Sequence, residues 1–312
     1  RRHTLDLKSH VHALDAPSIR HEDRGARTSF FAVVRTLWSV VRFVKHRVFN
    51  NFVKHSMFNN CSINFSGKVV VVTGGTRGIG KSIAEHFAAL GGEVIATGRD
   101  RVQLEALGAA AASRTKKRIR YRHLDFLEAG SCEAFLSEIR REHKHIDVLV
   151  NNAGINKVAP IDEADVDDFE AALAVNLTGP FKLMREIGVM MKKHRYGRIV
   201  NIASIFGAVA RDKRVPYVTS KTALVGLTRA AAVDLAPFGI LVNAVSPGFV
   251  MTDMTRKMLS DKREREALFA KVPMGRAAEP EEIARVVLFL ASELNTYITA
   301  QNIIVDGGFV SV

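Results

Sequence analysis

The stretch Val69 to Gly80, VVVVTGGTRGIG, limits the fold more than any other part of the chain. Four consecutive β-branched valines with no polar alternation read as a central parallel strand covered on both faces. The glycines that follow allow positive φ and close approach of the backbone. From Lys81 to Leu90 the apolar residues Ile83, Ala84, Phe87 and Leu90 then fall at helical spacing. A strand feeding a glycine turn and a helix start presents backbone N–H groups and the positive end of a helix dipole, which suits a pyrophosphate. A tight structural turn uses the same glycines, so the remainder of the chain has to decide between the two.

That remainder alternates strand and helix. Strands are predicted over 93–97, 118–123, 146–150, 198–202, 240–245 and 302–305, with helices over 130–143 and 166–194, one through Tyr217, and one opened by Glu279-Pro280-Glu281-Glu282. The pattern predicts an α/β chain: a doubly wound, parallel, seven-stranded sheet of the Rossmann type, helices on both faces, as a single domain. Its ligand belongs at the carboxyl ends of the strands. The charged, methionine-bearing segment 253–278 reads as an insertion over those ends, placed to act as a substrate lid.

The unusual residues cluster at the predicted strand ends. Where NAD-selective sites carry an acidic residue for the ribose 2′-hydroxyl, this chain has Gly98, followed by Arg99. With Arg77 in the phosphate turn, two guanidinium groups converge on a 2′-phosphate, which favours NADP(H). Asn176 sits among apolar neighbours and needs partners for its amide, for which a hydrogen bond to backbone would suffice. Tyr217 and Lys221 lie one helical turn apart in YVTSK. A phenol titrating near ~10 is a poor acid or base at neutral pH unless a cation such as Lys221 favours the phenolate. Ser204, ending the fifth strand, would hold a carbonyl or hydroxyl oxygen within reach and complete a general acid–base site. On its own a tyrosine four residues before a lysine is common on solvated helix faces.

Composition narrows the alternatives. Two cysteines, Cys61 and Cys132, with no CxxC spacing and no neighbouring histidines indicate neither a disulfide framework nor a zinc site, and a reducing cytoplasm is the default location. The net charge of +13 raises the question of nucleic acid, but residues 1–56 hold 11 Lys/Arg against 4 Asp/Glu, so more than half the excess belongs to them. This leader has 6 of the 11 histidines and Trp38 yet no methionine, whereas all 8 methionines lie from Met57 onward. The chain starts on Arg, and Met57 stands just ahead of the first strand, so non-native upstream sequence is one reading of the leader. The other is a targeting or membrane-surface segment. Residues 30–49 are largely apolar with a polar stripe of Arg35, Ser39, Arg42 and His46, and the four Lys/Arg that interrupt them make a poor transmembrane span. The expected organisation is therefore a leader over 1–56 and a dinucleotide-binding domain over 57–312, with no membrane or nucleic-acid partner for the latter.

Taken together, TGGTRGIG, NNAG at 151–154, Asn176, Ser204, the Tyr217/Lys221 pair, Ser246-Pro247-Gly248 and the terminal Asp306-Gly307-Gly308 resemble the short-chain dehydrogenase/reductases, in their single-domain branch, in order and spacing. The resemblance spans about Phe65 to Phe309. It implies a catalytic tetrad with Tyr217 as acid/base, Lys221 lowering its pKa and binding the nicotinamide ribose, Ser204 orienting substrate, and Asn176 holding a proton-relay water. It also implies phosphate contacts from Gly74, Thr76, Arg77, Gly78, Ile79 and Gly80, and adenine contacts from Asp125 and Phe126. Ribose-side contacts fall to Asn152 and Gly154 and carboxamide contacts to Val250 and Thr252, with Pro247 and Gly248 also at the cofactor. GRAAEPEEIA and YITAQNIIVDGG look most like 3-oxoacyl-acyl-carrier-protein reductases, although Ala300 stands where such relatives usually carry Gly. After NNAG, Ile155-Asn156-Lys157-Val158-Ala159-Pro160 is closer to sugar, polyol or general ketone reductases. The function implied is hydride transfer between NADP(H) and a carbonyl or secondary alcohol, an acyl-carrier-protein thioester being one candidate substrate, by a cytoplasmic homotetramer. The alternatives are a sugar or polyol dehydrogenase of glucose or gluconate type, and a catalytically idle cofactor-binding regulator.

Overall fold

The computed structural model describes residues 62–112, 119–252, 255 and 261–312. The leader and its boundary at Met57 lie outside the described residues, as does most of the first part of the expected lid. The chain divides into the units Arg1–Ser62 and Ile63–Val312, and the fold is that of the second.

Seven strands, β1 (Val69–Val72), β2 (Glu93–Gly98), β3 (Ile119–His123), β4 (Val148–Asn151), β5 (Gly197–Ile202), β6 (Ile240–Pro247) and β7 (Asn302–Val305), form one sheet. The order is β3-β2-β1-β4-β5-β6-β7 and every pair is parallel. Helices α1 (Gly78–Ala89), α2 (Arg101–Ala112), α3 (Ser131–Glu142), α4 (Val166–Leu173), α5 (Gly179–His194), α6 (Val215–Leu235), α7 (Lys262–Phe269) and α8 (Pro280–Ala291) connect them. The strand order reverses between β1 and β4, and a crevice opens outside their carboxyl ends, as in other doubly wound sheets.

The valine run is explained by its two neighbours. Val70 and Val72 pack with Ile83 and Phe87 of α1 and Ile283 and Val287 of α8. Val71 packs on the opposite face with Phe135 and Ile139 of α3 and with Leu183, Ile187 and Met191 of α5. Each of these large side chains stabilises the fold by about 2 kcal/mol relative to exposure. With both faces covered, no polar alternation can appear.

The single helix expected over 166–194 is interrupted. Ala174–Thr178 forms a π-helical turn between α4 and α5. Pro180 has no N–H to offer the Asn176 carbonyl four residues back, so the α ladder fails there and the chain takes up one extra residue. Asn176 is thereby turned fully into the interior. Ala300, where a glycine was expected, sits at φ 62, and the left-handed backbone costs its methyl group about 1 kcal/mol. Leu268 and Phe269 of α7 pack with Phe249, Val272 and Ala277, so the described part of the expected insertion covers the end of β6.

Candidate active site

A cleft of about 540 Å³ runs along the carboxyl ends of the strands. Every residue expected to touch the cofactor lines it: the turn residues Gly74, Thr76, Arg77, Gly78, Ile79 and Gly80, then Arg99, Asp125, Phe126, Asn152, Gly154, Tyr217, Lys221, Pro247, Gly248, Val250 and Thr252. Ser204 lines it too, while Asn176 does not.

The phosphate turn is built by steric and hydrogen-bond necessity. A Cβ on Gly80 would lie 2.2 Å from the Gly74 carbonyl oxygen and 2.3 Å from Asn152 Nδ2, so no side chain fits. Asn152 Nδ2 donates to the carbonyls of Thr73 at 2.9 Å and Gly74 at 3.1 Å. Thr73 Oγ1 accepts from the backbone N–H groups of Asn152 and Ala153 at 2.9 and 3.0 Å. The donors of Asn152 are thus spent on the protein. No side chain caps the start of α1 and no acid lies in its first turn, which leaves its N–H groups open to an anion.

At the next strand end, a Cβ on Gly98 would come within 2.7 Å of Thr76 Cγ2, so the acidic slot is closed by packing. Arg77 and Arg99 are exposed on the cleft, and among the described residues no hydrogen bond or ion pair engages either guanidinium. The residues therefore fit a phosphorylated dinucleotide: an uncapped helix start behind a glycine cradle for the pyrophosphate, and two unpaired arginines for a further phosphate. Phe126 lies against Gly179, whose missing side chain leaves the ring its place; a Cβ there would meet it at 2.6 Å.

Farther along, Lys221 Nζ donates to the Ile202 carbonyl at 2.7 Å, and the residue is 3% exposed. Burial lowers its pKa to about 8. Burial pushes the Tyr217 phenol up, and a hydrogen bond with Ser204 and the Arg214 cation pull it partly back. Ser204 Oγ accepts from the Phe206 N–H at 3.1 Å, which fixes the hydroxyl toward the cleft. Lys221 Nζ stands 5.8 Å from the Tyr217 ring centroid, and Arg214 is a second cation that favours the phenolate. Sequence spacing did not single out Arg214, because nothing about an arginine three residues before Tyr217 marks it as lining the cleft.

Asn176 works through the backbone. Its Oδ1 accepts from the Ile155 N–H at 2.9 Å, and its Nδ2 donates to the Ile155 carbonyl and Ser220 Oγ, each at 2.9 Å. The amide clamps the loop after NNAG onto α6.

With this fold and this cleft, the comparisons agree on a class. A family model described as enoyl-(acyl carrier protein) reductase matches residues 74–310. The chain belongs to the short-chain dehydrogenase/reductase family. Among curated proteins it is 41% identical over 246 residues to the 3-oxoacyl-(acyl-carrier-protein) reductase FabG of Aquifex aeolicus, covering 79% of this chain and 98% of that one. It is 36% identical over 250 residues to FabG of Escherichia coli, covering 80% and 100%. A gluconate 5-dehydrogenase from Burkholderia cenocepacia, solved in complex with NADP and tartrate, superposes with a TM-score of 0.76 at 30% identity, covering 80% of this chain and 98% of that one.

Proposed function

We propose that the protein is an NADP(H)-dependent oxidoreductase that interconverts a carbonyl and a secondary alcohol, of the kind represented by its 3-oxoacyl-acyl-carrier-protein reductase relatives. The observation that carries this is the pairing, in one cleft, of Ser204, Tyr217 and Lys221 with an uncapped helix start and the two unpaired arginines Arg77 and Arg99. When bound, the nicotinamide supplies or accepts the hydride. Gly74 to Gly80 hold the pyrophosphate, Arg77 and Arg99 the 2′-phosphate, Asp125 and Phe126 the adenine, and Pro247 to Thr252 the carboxamide side. Ser204 orients the substrate oxygen, and Tyr217 Oη gives it a proton in reduction or takes one in oxidation. Lys221 reaches the nicotinamide ribose, and its charge favours the phenolate once both groups share a ligand.

The same family likeness supports a homotetramer in the cytoplasm. Exposed apolar residues at Val166 on α4, Phe181 and Val189 on α5 and Val233 on α6, and a second set at Phe289, Tyr297 and Ile304 near α8 and β7, are available to such contacts. No helix among the described residues is long and apolar enough to cross a membrane.

A panel of ketones, β-keto thioesters and sugar acids assayed with NADPH or NADP⁺, in parallel with NADH or NAD⁺, tests the assignment. Tyr217→Phe keeps the ring packing but removes the proton carrier, so turnover should fall by ~10²-fold or more while NADPH fluorescence titration stays near wild type. Near-normal turnover by that variant would remove Tyr217 from the reaction.

A further inference from the structure

The substrate end of the cleft carries a cation, Arg214, that acts on the Tyr217 phenol yet has a guanidinium nitrogen with no partner of its own. Arg214 precedes α6 and is pinned on both sides: its carbonyl accepts from the Val218 N–H at 2.8 Å, and its backbone bridges Ala159 in parallel. Lys213 beside it holds φ 56, a left-handed conformation costly for any residue but glycine, and its carbonyl accepts from the Ala159 N–H at 3.2 Å. The backbone is thus held in a strained form that aims one side chain.

That side chain is left incomplete. Arg214 Nη1 is buried with no hydrogen-bond partner, and no ion pair reaches the guanidinium among the described residues. Burial disfavours its charge and neighbouring Arg211 disfavours it further, with Asp212 giving only partial relief. Among the described residues, the one carboxylate lining the cleft is Asp125, in the turn after β3. On the loop after NNAG, Asn156 Oδ1 is likewise buried without a partner, and Asn156 lines the same cleft.

We propose that the substrate is a small oxo or hydroxy acid whose carboxylate is taken by Arg214, with Arg211 in support, while its reacting oxygen faces Ser204 and Tyr217. The inference rests on the oxidoreductase assignment above and narrows it. A carboxylate supplies the charge two adjacent guanidinium groups lack, in the planar geometry they match. A neutral group at this position leaves the part-buried guanidinium without a countercharge. Asn156 is placed to accept from a hydroxyl on the carbon chain, as a hydroxylated acid would offer. In the oxidative direction the hydroxyl proton passes to Tyr217 and the carbinol hydrogen leaves as hydride to NADP⁺, giving the oxo acid and NADPH. The reverse balances the same way.

The test compares hydroxy acids of four to six carbons, gluconate among them, with their neutral primary amides. Each is titrated calorimetrically into the full chain saturated with NADP⁺, and turnover is assayed in parallel. The acids are expected to bind about tenfold or more tighter than the amides. That ratio should collapse toward one in Arg214→Gln and be partly kept in Arg214→Lys, with NADPH titration verifying that each variant is folded. Equal binding of acid and amide by the wild type, or a ratio that survives Arg214→Gln, overturns the proposal. If Arg214→Gln does not fold, an unchanged ratio in Arg214→Lys overturns it too. Acid-selective binding without turnover of any substrate would sink the oxidoreductase assignment alone, whereas reduction of neutral ketones without acid selectivity would sink this inference alone.

Discussion

Lys221 is a buried cation that donates to the Ile202 carbonyl. Burial lowers its pKa from 10.5 to about 8. Between those values the unfolded chain binds a proton that the folded chain has lost, so stability contributed by this group rises with pH from 8 to 10.5. Below pH 8 the group costs about 3 kcal/mol relative to alkaline conditions. Lys221→Met keeps the bulk and removes the titration. The difference in unfolding free energy between wild type and variant, from urea titrations at pH 7 and pH 10, should move in favour of the wild type at the higher pH by up to ~3 kcal/mol. No movement would mean that the ammonium is solvated in the fold. Tyr217, Lys221 and Ser204 were legible in the sequence because helical spacing and a strand end bring them together. Arg77 and Arg99 were legible because they flank a glycine turn and a strand end. Arg214 was not, since its backbone is held by the distant Ala159 bridge and follows a left-handed Lys213, neither of which leaves a local signal.

Strands were the most legible elements. Parallel strands covered on both faces leave uninterrupted apolar runs, and glycine or polar residues stop them at the cleft. Their starts were less clear: Ile146 is buried like a strand residue but precedes β4, because burial does not require membership of the ladder. The π turn over Ala174–Thr178 was hidden, since its composition is that of an α-helix and the missing donor belongs to Pro180, in the next element. That turn holds the Ile155 backbone through Asn176. Asn176→Ala leaves the part-buried N–H and carbonyl of Ile155 without these partners, and should lower unfolding free energy by ~1–3 kcal/mol while raising amide exchange at Ile155. A loss below ~1 kcal/mol would show that the loop is held by other contacts.

At the scale of the molecule, the strands and the cleft residues all belong to the unit Ile63–Val312, and we propose that residues 1–56 are dispensable to both. A chain beginning at Met57 should melt within ~2 °C of the full chain and keep its turnover. A drop of several degrees, or loss of activity, would make the leader part of the working protein. The stapled turn beneath the cleft has its own consequence for how ligands come and go. Because Asn152 holds the carbonyls of Thr73 and Gly74, the phosphate cradle has its shape before anything enters it. An arriving dinucleotide surrenders its own freedom but not that of the turn, so the encounter needs no ordering step there. Departure is then governed by how readily water and salt ions replace the arginine–phosphate contacts, and residence time at this end of the cleft should shorten with ionic strength.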